Sequence, residues 1–84
     1  MAYATHSIVS RIAWCQQQEK LARTQPELEA WRAEEEGLRD ALHYIDQRDQ
    51  YRDGPPDVFQ RYVTGFEDGQ ALIRTAWMNL HSPA

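Results

Sequence analysis

Residues 24–56, TQPELEAWRAEEEGLRDALHYIDQRDQYRDGPP, decide the fold. They open on Thr24-Gln25-Pro26-Glu27, which fits a capping box. The Thr24 hydroxyl serves one free backbone N–H, and the Glu27 carboxylate reaches back to another. Pro26 suits a first turn because its missing N–H would have had no partner there. Leu28, Trp31, Glu35, Leu38, Leu42, Ile45 and Asp49 then follow at alternating three- and four-residue spacing, the period of one helix face. Glu35 and Asp49 interrupt that seam. Arg48 and Arg52 fall in the expected last turn, where they complement the helix dipole. Asp53-Gly54-Pro55-Pro56 is the stop. The spacing therefore predicts a second helix over about 25–51.

Outward from this stretch the pattern stays helical. Four Gly and four Pro are clustered rather than scattered, and they divide the chain into three parts. No sustained two-residue alternation suggests a strand, and no internal repeat is present. A first helix is predicted over about 5–23, capped by Thr5 or Ser7, with Ile8, Ile12 and Cys15 on one face. Trp14 and Leu21 lie on a second line off that face. A third helix is predicted over about 56–80. One of its stripes is Phe59, Val63, Phe66, Gln70, Ile73, Trp77 and Leu80. A neighbouring stripe is Val58, Tyr62, Gly65, Gly69, Leu72 and Ala76. Gly65 and Gly69 either admit another helix at close range or break this one near 64–69. The expected fold is all-α, an elongated antiparallel three-helix bundle forming a single helical domain over 1–84.

Composition narrows the function classes. Hydrophobic residues are 42% and charged residues 26% of 84, a globular balance rather than a disordered one. A single cysteine cannot form an internal disulfide. No apolar run approaches the ~18 residues of a membrane span. The first ten residues carry no basic segment followed by an apolar core, so no secretory signal is expected and the setting reads as cytoplasmic.

The formal charge of −4 is unevenly spread. Residues 1–26 carry a net +2, residues 27–57 a net −6, and the rest is neutral. Glu29, Glu36 and Asp40 line up off the helix 2 seam, with Glu34 nearby. Such an acidic ridge repels phosphates, so direct nucleic-acid binding is not expected. The ridge suits a basic protein surface, and a solvated face is its plain alternative.

Candidate chemistry is thin. Asp40, His43 and Asp46 share carboxylate-x-x-His spacing, but a bundle metal site needs a second such pair, so no metal or cofactor is expected. Cys15 lies on an apolar face, where a thiol is usually inert, and nothing in the sequence sets His6 or His81 beside it. Glu35 with Arg11, Arg39, Arg48 and Arg52 outlines an acid–base alternative. Tyr44, Tyr51 and Tyr62 with Arg48 and Arg61 outline a stacking pocket between helices 2 and 3.

Length suggests company. A 25-residue helix is roughly 38 Å long, whereas a compact chain of this size has a radius of gyration of only about 12 Å. Nine aromatics are generous for so small a core. The expectation is a homodimer that acts as a non-enzymatic interaction module, docking on a larger partner through Trp14 and Leu21 or through Glu29, Glu36 and Asp40. The expected kind is an inhibitor or adaptor, of the phage or mobile-element type, of a host or defence complex. The alternative is a small bundle enzyme or ligand-binding protein.

Overall fold

The computed structural model describes residues 2–81, with side chains from Ser7 to Asn79. It is all-α. Helix α1 spans Ala2–Leu21, α2 Gln25–His43, α3 Arg48–Tyr51 and α4 Pro56–His81. The body is long and thin, 47 × 27 × 15 Å, with a radius of gyration of 13.7 Å.

Thr24 caps α2 as expected: its hydroxyl accepts from the Glu27 N–H at 3.2 Å. The Glu27 carboxylate reaches back one residue further than a capping box requires, to the Arg23 N–H at 3.0 Å. Helix α1 starts earlier than predicted, so Thr5 and Ser7 lie inside it rather than capping it. Nothing in Ala2-Tyr3-Ala4 interrupts a helix.

The larger departure is at the end of α2. The predicted helix over about 25–51 stops at His43. Tyr44 takes a left-handed conformation, φ 58°. Its N–H donates to the Ala41 carbonyl, and the Ile45 N–H donates to the Asp40 carbonyl at 2.9 Å. This paired arrangement is a Schellman stop, which usually employs glycine. An aromatic residue performs it here, so the sequence carries no stop signal at that point.

Stopping there lets the chain turn back. Contacts along α2 and α4 rise together in number: Trp31 meets Arg61, Gly37 meets Tyr62 and Phe66, and Ala41 meets Gly69. The two helices are therefore parallel, not antiparallel. Residues 44–55 form the crossover that returns the chain to the starting end, with α3 as its one helical turn. Helix α1 runs antiparallel to both, pairing Arg11 with Glu34 and with Asp68.

Helix α2 thus has two buried faces. The predicted seam meets α1: Trp31, Leu38 and Leu42 pack with Ile8, Ile12 and Cys15. The other face is made of small residues, Ala30, Ala33, Gly37 and Ala41, and it meets α4. There the backbones nearly touch. A methyl group at Gly65 would overlap the Glu34 carbonyl oxygen and lie 2.9 Å from its carbon. One at Gly37 would lie 2.6 Å from the Phe66 nitrogen. Helix α4 runs unbroken through Gly65 and Gly69, so these glycines serve close approach and not a break.

Candidate functional site

The acidic ridge does not form as an exposed surface. Asp40 is only 7% exposed and Glu36 is half-buried, while Glu29 is exposed. The crossover covers the first two. Tyr62, fully buried on α4, donates its hydroxyl to the Asp40 Oδ2 at 2.7 Å and accepts the Gln47 N–H at 2.8 Å. The Gln47 amide also donates to Asp40 at 2.6 Å. Tyr51 donates its hydroxyl to Glu36 and stacks on Tyr62, ring centroids 4.5 Å apart. Burial first, and then the neighbouring carboxylates, push both phenols well above the usual tyrosine range. Both remain protonated donors at neutral pH. Two residues predicted to hold a partner thus hold this chain's own return segment.

A second buried carboxylate ties the three long helices together. Glu34 on α2 accepts from Arg11 of α1 at 3.1 Å and from Arg61 of α4 at 2.8 Å. The Cys15 thiol lies 3.7 Å from the same carboxylate. Burial, and next the Glu34 charge, push that thiol up to about 12, so it is a protonated, unreactive core group. Arg61 also lies over the Trp31 ring, 4.0 Å from its centroid, and Trp14 meets Trp31 edge-on at 4.9 Å.

The apolar seam picks out Glu35 and the acidic ridge Glu36, and neither pattern marks Glu34 as buried. Its burial follows from the small-residue face of α2, which an apolar-period reading passes over. Ala30, Ala33 and Gly37 around it were the available signal.

The other sequence candidates scatter. Glu35 lies in the α1–α2 interface with Gln16 and Arg39. Arg48 pairs with Asp46 and sits over Phe66. Tyr44 stands 87% exposed. Only parts of the two predicted groups meet: Arg39 pairs with Glu35 and Tyr51 stacks on Tyr62, whereas Arg61 sits over Trp31 and Tyr44 is exposed. Among the described residues no group of three His, Cys, Asp or Glu side chains is placed to hold a metal. Asp40 is occupied by Tyr62, away from exposed His43 and Asp46. The side chains of His6 and His81 lie outside those described. No helix among the described residues is long and apolar enough to cross a membrane.

One surface open to a partner lies at the end where α2 and α4 both begin. Ala30, Trp31 and Val58 floor a shallow groove there, and Pro26 and Pro55 wall it. Glu27, Glu29 and Asp57 rim it, and Arg61, its charge met by Glu34, also lines it. Glu27 and Asp57 stand in the first turns of their helices and offset the positive ends of two parallel dipoles. Glu29 sits beyond the first turn, so less of its charge is used this way. Trp14 and Leu21, 45% and 66% exposed, face outward from α1. No protein-family model matches the sequence, and neither a curated protein nor a solved structure resembles it significantly.

Proposed function

We propose that the protein is a non-enzymatic interaction module that docks stoichiometrically on a larger protein with a basic surface, as an inhibitor or adaptor. The observation that carries this reading is the acid-rimmed apolar groove between the starts of α2 and α4, continuous through Trp31 with the exposed Trp14. Apolar floor and charged rim are the usual anatomy of a protein contact. The acidic rim, on a chain of net −4, favours a cationic partner and disfavours nucleic acid.

The test uses a partner captured from the native host's lysate and then purified. Glu29→Lys with Asp57→Lys reverses the rim, and Trp14→Ser with Leu21→Ser removes the apolar face. Each pair should weaken binding about tenfold or more. Wild-type affinity in both pairs overturns the docking face. A rise in melting temperature with a nucleotide or small carboxylic acid would instead support the ligand-binding alternative.

A further inference from the structure

We infer that the pocket at the opposite pole, between the end of α2 and the second half of α4, binds a small organic anion with a planar apolar body and one carboxylate. Phe66, Gln70, Ile73 and Trp77 follow one another along one stripe of α4. With Tyr44 and Arg74 they line a concavity of about 440 Å³. Small-ligand sites occupy roughly 300–1,000 Å³. Phe66 is buried, whereas Tyr44 and Trp77 present large rings that are 87% and 60% exposed. The left-handed stop of α2 is what sets Tyr44 there. Helix α1 takes a neighbouring face of α4, where Leu72 packs against Ile8, Ile12 and Cys15. No described residue of α1 lines the pocket.

Charge selects the occupant. Among the described residues Arg74 is the only charged one in the lining. Arg11, Arg39, Arg48, Arg52 and Arg61 each meet a carboxylate of this chain. Arg74 meets none among the described residues. The preceding acids on α4, Glu67 and Asp68, stand about 9 Å or more away along the helix axis, and Asp68 serves Arg11. An arginine fork beside an apolar wall fits a carboxylate at two points. One cation balances one negative charge, so the occupant is a monocarboxylate and not a polyphosphate. The rings of Tyr44, Phe66 and Trp77 favour an aromatic body, which they can meet by face or edge. Ala41 in the lining follows Trp31 of the docking groove by about 15 Å of helix. The inference is therefore independent of the docking reading.

Titration of the nitrogen-labelled full chain with phenylacetate and with naphthylacetate, followed by nuclear magnetic resonance, tests it. At least one acid should bind with a Kd of about 1 mM or tighter, as expected for so few atoms. The indole N–H resonance of Trp77 should move, while those of Trp14 and Trp31 stay in place. The neutral amide of the same acid should bind about fivefold more weakly, and Arg74→Gln should erase that preference. Arg74 is exposed, so helix content by circular dichroism should stay at the wild-type level. No binding of either acid at about 10 mM overturns the inference, as do equal binding of acid and amide and an acid preference that survives in Arg74→Gln. Concentration-dependent movement of the Trp77 resonance without ligand would put a second copy of the chain in the pocket and overturn it too. A rise in melting temperature with naphthylacetate that Arg74→Gln abolishes belongs to this pocket and leaves the docking groove untouched, so either reading can fail without the other.

Discussion

Along the α2–α4 interface the backbones touch, whereas α1 is held by its side chains alone. The first contact is made by Gly37, Gly65, Gly69 and Ala41, with no room for one added carbon. The second is made by Ile8, Ile12 and Cys15 against Trp31, Leu38 and Leu42, together with the Glu34 bridge and a polar edge. The difference separates two kinds of sensitivity. A backbone seam answers to volume. A side-chain interface answers to charge and pH.

Gly65→Ala should have the largest effect. On an exposed helix this change stabilises by about 1 kcal/mol. In the seam the new methyl group must push the Glu34 backbone away, and the expected net loss is about 3 kcal/mol. Gly54→Ala is the control: its nearest atom would be the Tyr51 carbonyl oxygen at 3.5 Å, an ordinary contact. Urea denaturation reads both. Equal stability of the two variants would show that the helices are not in backbone contact.

Next is Glu34→Gln, which removes the charge shared by the two interfaces. Arg61 loses its counter-ion, while Arg11 keeps Asp68 at 3.1 Å. Both guanidinium groups are about a third exposed and regain some water. The expected loss is about 2 kcal/mol, below that of breaking a fully buried pair. A change under about 0.5 kcal/mol, the range of surface substitutions, would mean that α1 is held by packing alone.

The smallest effect concerns Glu19, near the end of α1. Its Oε2 is buried, and no donor from another residue reaches it. Burial, and next its hydrogen bond with Glu35, push its pKa up to about 7. Burial also raises Glu35, but hydrogen bonds from Glu19, Arg39 and Gln16 prevail and hold it below its ordinary value. The folded state therefore holds the Glu19 proton more tightly than the unfolded chain. Its contribution is fully present below the ordinary value of 4.5 and is lost as pH rises to about 7. Glu35 changes charge below that window and does not cancel it. Partial exposure and screening hold the effect under about 1 kcal/mol. Urea midpoints across the window should decline for the wild type and less steeply for Glu19→Gln. Parallel declines would remove Glu19 as their source.

The face of α1 was legible because Ile8, Ile12 and Cys15 repeat at helical spacing, and the α1-facing seam of α2 for the same reason. The start of α2 was legible in Thr24 and Pro26, whose side chains act on their own turn. The small-residue face of α2 was not, since alanine and glycine add little to an apolar period. Glu36 and Asp40 read as a docking ridge because nothing local reveals that Tyr51 and Tyr62 cover them. Tyr51 is 15 residues beyond Glu36, and Tyr62 is 22 beyond Asp40. Trp14, Leu21 and Glu29 read as outward-facing positions and are exposed.

Helix content, the cap at Thr24 and which residues share a helix face were determined by the sequence alone, because each depends on neighbours within a turn or two. The direction of α4, the end of α2 at a left-handed Tyr44 and the burial of Glu34 and Asp40 were decided only in the tertiary structure. Each requires two distant segments to meet. The glycines at 37 and 65 permit the close backbone approach of the two parallel helices, and Tyr62 with Gln47 of the crossover supplies the hydrogen bonds that let Asp40 leave water.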